Sequence, residues 1–166
     1  MPFAPVLATL GYVLSADRES VLMVHRNARP SDHAFGKYNG LGGKMEAGED
    51  IATCMIREIR EEAGVEVLSL RFRGTLAWPG FGDQSEGWFG FVFVIDSWEG
   101  APLSSNPEGD LEWVPVRSLL AGELPMWDGD KLWLPMVFDD DPRPFHGVEP
   151  YEGLNVVEGG WRHTRM

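Results

Sequence analysis

The sequence predicts a mixed α/β fold, with mostly antiparallel or mixed strands and two helices, on three observations. Runs of β-branched and aromatic residues recur along the chain with turn residues between them. One strongly periodic segment, Asp50–Ala63, carries helix signals at both ends. The order of the segments is not the regular strand–helix alternation of a doubly wound parallel sheet. A length of 166 residues suits one domain over 1–166.

The elements follow in chain order. Val6–Leu14 and Ser20–Asn27 read as two strands around the turn Ala16-Asp17-Arg18-Glu19, a hairpin. Asn27–Tyr38 is polar and irregular, and Asn39–Met45 holds Gly40, Gly42 and Gly43, so a constrained loop or bulged strand is expected. Asp50 is placed to cap the helix and Gly64 to stop it in the left-handed conformation. Val65–Trp78 reads as one or two strands and Gly87–Asp96 as another. Ser97–Gly109 reads as a Pro/Ser/Gly loop, Glu112–Pro115 as a short strand, and Val116–Ala121 as a helical turn. Asp128–Phe138 reads as the second helix, with Pro135 marking a kink or a displaced boundary. Phe145–Val157 reads as a C-terminal hairpin around Pro150–Gly153.

Composition narrows the function. Lys+Arg 14 against Asp+Glu 26 leaves a net charge of −12, which argues against a nucleic acid polymer as partner. A small phosphorylated ligand stays compatible, because a divalent cation bridges carboxylates to phosphates. Cys54 is the one cysteine and has no internal partner, which favours a reducing compartment. The apolar start has no basic residue before Arg18, unlike a secretory signal, and Trp88–Ile95 is too short to span a bilayer. A soluble, cytoplasmic monomer with no membrane partner is expected. His25, His33, His146 and His163 lack zinc-ligand spacing.

The strongest signal lies on the first helix. On a helical wheel Ile51, Ala52, Met55, Ile56, Ile59 and Ala63 fall within about 140° and define the buried face. Glu58 and Glu62 sit at the edge of that face, and Glu61 lies further round. Like charges four residues apart repel by a few tenths of a kcal/mol, and more when desolvated. Either Arg57 and Arg60 make this a salt-laced helix, or the glutamates hold a hard divalent cation through oxygen ligands. Gly42 and Gly43 allow a backbone carbonyl to approach the same carboxylates, and Lys44 offers a positive charge to a phosphate. Glu49 and Asp50 also suit a helix N-terminus.

The spacing Gly43, five residues, Glu49, seven residues, then Arg57-Glu58-Ile59-Arg60-Glu61-Glu62-Ala63-Gly64-Val65 resembles the Nudix box at every fixed position. That resemblance implies a Nudix fold, an α/β/α sandwich around a mixed sheet. It also implies Mg²⁺-dependent hydrolysis (Mn²⁺ as a substitute) of a nucleoside diphosphate linked to a further group, by in-line attack of activated water. By position it makes the Gly43 carbonyl, Glu58 and Glu62 metal ligands, with Glu61 serving the metal or the water. Arg57 would orient Glu58, paired with Glu49. Glu108, five residues before Trp113, stands where the family draws another metal-site acid, although a solvated loop glutamate is the plain alternative.

Three further stretches are similar to the oxidised-purine nucleoside triphosphatases, the MutT-related 8-oxo-dGTP diphosphatases. They are Tyr38-Asn39-Gly40-Leu41-Gly42-Gly43-Lys44, then Met126-Trp127 with Asp130, Trp133 and Pro135, and Phe145-His146-Gly147. The similarity implies that Asn39, Trp127 and Asp130 grip a purine, with cleavage to the monophosphate and pyrophosphate. The family's first pocket acid is Gly129 here, and Asp128 replaces a proline one position earlier. Asn both donates and accepts at a base edge, and Trp stacks on its face. Trp127 and Trp133 also read as core residues, and Asp128 or Asp130 as helix caps. Pro79 lies near the proline of ADP-ribose hydrolases, so ADP-ribose or a nucleotide sugar is the second substrate class. A non-catalytic Nudix-fold binding module is disfavoured by the intact glutamates.

Overall fold

Strand β1 (Val6–Leu14) has apolar residues at consecutive positions, so both of its faces need cover. In the computed structural model, which describes residues 1–166, it runs through the middle of the main sheet. On one side it pairs in parallel with β6 (Trp88–Glu99), from Val6 opposite Trp88 to Val13 opposite Ile95. Its other side is shared. The short glycine strand β4 (Leu41–Lys44) lies antiparallel to Ala8–Gly11, and β2 (Ser20–His25) takes over at Val13 and Leu14. β3 (Tyr38–Asn39) pairs with the end of β2. β5 (Glu66–Trp78) flanks β6, and β8 (Gly109–Pro115) flanks β2.

The two-residue period of the strands divides the core. Tyr12, Leu14, Val21, Met23, Val92 and Val94 face helix α3 (Asp130–Phe138), which contributes Trp133, Leu134 and Val137. Val13, Leu22, Val24, Phe93 and Ile95 face helix α1 (Ile51–Ala63), which contributes Met55, Ile59 and Ala63. A mixed sheet is thus covered on both faces, the expected α/β/α sandwich.

Several boundaries differ from the sequence reading. The expected helical turn is the short helix α2 (Val116–Leu120), giving three helices instead of two. Ser97–Glu99 are not loop but the end of β6, paired through a bulge with Glu66–Ser69 of β5. β7 (Ser105–Asn106) forms a tight hairpin with β8 inside the expected 97–109 loop. α3 starts at Asp130, two residues late, and has no side-chain cap bond. The C-terminal hairpin is smaller than expected. β9 (Phe145–Val148) joins the main sheet, parallel to β5 and antiparallel to β12 (Arg162–Arg165). Only β10 (Tyr151–Glu152) and β11 (Asn155–Val156) make the hairpin.

Pro135 lies within α3, and the carbonyls that follow it are met by a buried cation. Arg73 of β5, 1% exposed, donates to the carbonyls of Met136, Val137 and Asp141 at 2.9–3.0 Å and to Asp139 Oδ1 at 3.1 Å. Arg165 of β12 holds the same Asp139 carboxylate at 2.6 and 2.7 Å. Replacing Arg73 by Met strands these acceptors away from water. A loss of about 3 kcal/mol is expected. For a protein of this size that is a fall in Tm of roughly 6–12 °C, measurable by thermal melting.

Candidate active site

The first helix begins and ends as its sequence dictates. Asp50 Oδ1 accepts from Thr53 N at 2.7 Å, and Gly64, at φ 72°, donates to Arg60 O at 3.0 Å. The buried face differs from the wheel: Cys54 and Glu58 are buried with Met55, Ile59 and Ala63, while Ile51, Ala52 and Ile56 are only half-buried. The cause is β4 and β1 passing beside the helix, where Thr9 Oγ1 lies 3.3 Å from Cys54 Sγ. Glu58 is thereby driven against the glycine strand. A Cβ at Gly43 would stand 2.6 Å from Glu58 Oε1, so only glycine leaves room for the carboxylate.

Arg57 organises the outer side of this cluster. Its guanidinium bonds both oxygens of Glu49, donates to Glu58 Oε1 at 2.9 Å and Glu61 Oε2 at 3.2 Å, and reaches Lys44 O at 3.2 Å. Arg57 holds Glu49 down to about 2. Glu62 turns the other way and accepts from Gly42 N at 3.1 Å. The tip of the β7–β8 hairpin docks on the same helix end, because Asn106 Nδ2 donates to Glu62 O at 3.1 Å and its Oδ1 accepts from Glu108 N at 2.9 Å. Glu108 is thus brought near Glu62, and its own carboxylate is paired with Arg26 Nη1 at 3.2 Å.

The electrostatics are those of a crowded anionic cluster. Glu62 is pushed up to about 8, first by burial and then by the charges of Glu108 and Glu58. Burial also raises Glu58, against the pull of Arg57. No three acidic or imidazole groups yet close on a single point, and Glu61, with a side chain 58% exposed, is turned to Arg57 instead of the pair. Glu58 and Glu62 with the glycine backbone and Glu108 form an oxygen-rich set whose mutual repulsion a hard divalent cation would relieve.

A stability consequence follows for the metal-free protein. Glu62 binds its proton more tightly folded than unfolded, so the folded state holds more protons between the ordinary carboxylate value and about 8. Stability from this group is therefore present at acid pH and lost as pH rises through about 8. Melting in a chelator should show wild type losing more stability than Glu62→Gln between pH 5 and pH 8.5.

A cavity of about 210 Å³ opens beside this cluster. Its lining brings Gly42, Gly43, Arg26 and Glu108 together with Asn39, Trp127, Asp130 and Trp133. The walls meet because Tyr38 N donates to Pro125 O at 2.8 Å, which ties the loop before α3 to β3. Phe81, from the β5–β6 loop, packs edge-on against Trp127 and Tyr151 at 5.8 and 5.0 Å. Asp130 is held well above the usual carboxylate range by burial and by the charge of Glu149. Lys44 is exposed at the rim, its Nζ 5.4 Å from the centre of the Trp88 ring.

The structure thus brings Asn39, Trp127 and Asp130 into one pocket. It does not bring Asp128, which is exposed and lines a separate groove with Lys37 and Asn155. The turn into α3 points Asp130 inward, and Asp128, two residues earlier, falls on the other side. Trp133 is 1% exposed and serves core and pocket wall together. Sequence reasoning missed Arg26, Trp78, Phe81, Trp88 and Tyr151 as pocket residues, together with Glu149 behind them. They come from separate strands and loops and form no local motif.

The NUDIX domain family model matches residues 5–136. The chain is 36% identical over 121 residues to an uncharacterized Nudix hydrolase of Bacillus subtilis, covering 71% of this chain and 70% of that one. It is 31% identical over 155 residues to the oxidized purine nucleoside triphosphate hydrolase of Danio rerio, covering 93% and 92% of the two chains. Among solved structures, a mutator MutT protein from Bacillus halodurans superposes with a TM-score of 0.79 at 29% identity, covering 95% and 97%.

Proposed function

Because the chain belongs to the Nudix hydrolase family, we propose that it hydrolyses oxidised purine (deoxy)nucleoside triphosphates, such as 8-oxo-dGTP, to the monophosphate and pyrophosphate. The observation that carries this reading is the single cavity that joins Gly43 and Glu108 to Asn39, Trp127 and Asp130. The 31% identity to the Danio rerio protein over nearly the full length supports it. The whole of 1–166 then acts as one domain, a monomer that cleanses the nucleotide pool in the cytoplasm. No helix is long and apolar enough to cross a membrane.

Glu58 and Glu62, the Gly43 carbonyl and Glu108 would hold Mg²⁺, or Mn²⁺ in its place. The bound ion supplies charge neutralisation for the diphosphate and an activated water. Arg57 keeps Glu58 in place by the 2.9 Å bond and ties it to Glu49. Glu61, exposed and bonded to Arg57, would leave that bond to turn towards the water or the ion. Lys44 at the rim meets a phosphate oxygen, and Trp127 covers the base while Asn39 and Asp130 bond its edge.

The test is product identification. Incubation with 8-oxo-dGTP and Mg²⁺ or Mn²⁺ should release one pyrophosphate per 8-oxo-dGMP and no orthophosphate. Faster hydrolysis of ADP-ribose, with little or none of the triphosphate, would replace this reading by the nucleoside-diphosphate one.

A further inference from the structure

Gly129 leaves Asp130 as the single acid of the base pocket at the start of α3, yet the space beside Gly129 is filled. A Cβ at Gly129 would stand 2.5 Å from Glu149 Oε2. Glu149 follows β9, and its backbone is fixed: its N donates to Ala77 O at 2.9 Å, and Tyr151 N donates to Pro79 O at 2.8 Å. The Glu149 side chain is wholly buried. Tyr151 Oη donates to Oε1 at 3.2 Å, whereas Oε2 makes no close hydrogen bond; the Trp78 side chain is the other polar group that helps hold this carboxyl down. The indole N–H of Trp133, in the wall of the same pocket, is also buried without a partner. A buried carboxylate oxygen without a donor is costly, and such groups concentrate where a site uses them.

We propose that Glu149 is a positioning residue for base recognition: its carboxylate, in the space that Gly129 leaves open, is the second acid of the pocket and governs the proton that Asp130 offers to a purine edge. The inference rests on the oxidised-purine reading above. A wholly buried carboxyl and a half-buried one whose charges act on each other resist ionising together, so a proton stays with the pair. Tyr151 donates to Glu149, which favours the charge there and leaves the proton on Asp130. Asp130 and Glu149 are both raised, chiefly by burial, and the charge of Glu149 acts on Asp130. The other groups facing them are Tyr12 of β1 and Tyr151 of β10, both held neutral by the same burial, while Asp128 acts on Tyr151 from the outer groove. Lys37 faces the Trp127 ring, 4.8 Å from its centre. An acid donor on Asp130 and an acceptor at Asn39 would match an oxidised purine, whose carbonyl and ring N–H present the complementary pair.

The test reads binding of 8-oxo-dGMP in a chelator by quenching of tryptophan fluorescence from pH 6 to 9, so that the carboxylate cluster plays no part. Glu149→Gln keeps the shape of the side chain. It should weaken binding about ten-fold at pH 8 and move the pH at which affinity falls by about one unit downwards, because Asp130 loses a repelling neighbour. Turnover at saturating 8-oxo-dGTP should change far less than KM. A second pair of variants separates the acid from packing. Glu149→Ala with Gly129→Asp should recover most of the affinity, since φ −69° at residue 129 suits any side chain. Glu149→Ala with Gly129→Ala should not. A wild-type pH curve and affinity in Glu149→Gln, or equal rescue by both double variants, overturns the proposal and leaves the substrate reading intact. Wild type that binds ADP-ribose but no 8-oxo-dGMP overturns both.

Discussion

Glu62→Gln and Glu58→Gln are each expected to lower kcat for 8-oxo-dGTP by about 100-fold or more, equivalent to about 2.7 kcal/mol of transition-state stabilisation. Glu58 is buried and Glu62 half-buried on the helix face that carries Met55, Ile59 and Ala63, and their cost in the metal-free protein is the burial, and after it the repulsion from Glu108 and Glu58, that raises Glu62 to about 8. Charge removal should therefore leave metal-free thermal stability equal or higher while activity collapses. The opposite signs matter: a merely structural glutamate would lose stability and activity together. Initial rates with saturating Mg²⁺, set beside melting curves in a chelator, separate the two cases. Near-wild-type turnover in both variants would remove the cation site from this cluster.

The second large effect is on the base. Asn39→Ala and Asp130→Ala are each expected to lower kcat/KM for 8-oxo-dGTP by roughly 5- to 150-fold, because removing one partner leaves the other unpaired in a half-buried pocket, at about 1–3 kcal/mol. Loss on unmodified dGTP should be much smaller. The metal concentration for half-maximal activity should not move, since neither residue belongs to the carboxylate cluster. Steady-state kinetics with both triphosphates gives the comparison. An unchanged preference between them in both variants would place base reading elsewhere.

How much of this was legible in the sequence depended on whether the cause was local. The first helix was legible because Asp50, Gly64 and a 3.6-residue apolar stripe all act within 15 residues, and the wheel turned Glu58 and Glu62 towards the apolar side, although it put Glu58 at the edge of a face in which it is buried. Lys44 was singled out through the glycine run before it, and Asn39 through the resemblance of Tyr38–Lys44 to the oxidised-purine enzymes. The polar edge strand Arg162–Arg165 was not, since it has no apolar alternation and exists only because β9 offers it a pairing edge. The extension of β6 to Glu99 likewise depends on its partner Glu66–Ser69. Arg73 and Glu149 carried no sequence signal as buried polar groups. The first is explained by the carbonyl ends of α3 lying over β5, the second by the gap at Gly129, and both are contacts between elements distant in the chain. Asp128 was misplaced because sequence adjacency to Asp130 does not say which way a turn faces.

In the proposed function one cavity couples a carboxylate cluster to a pocket that reads an oxidised purine. Its most direct test is the ratio of kcat/KM for 8-oxo-dGTP to that for dGTP, measured with Mg²⁺ on the wild-type protein. A site built around hydrogen bonds to the altered edge predicts a ratio of about ten or more. A ratio near one, with ADP-ribose turned over faster than either, would contradict the account.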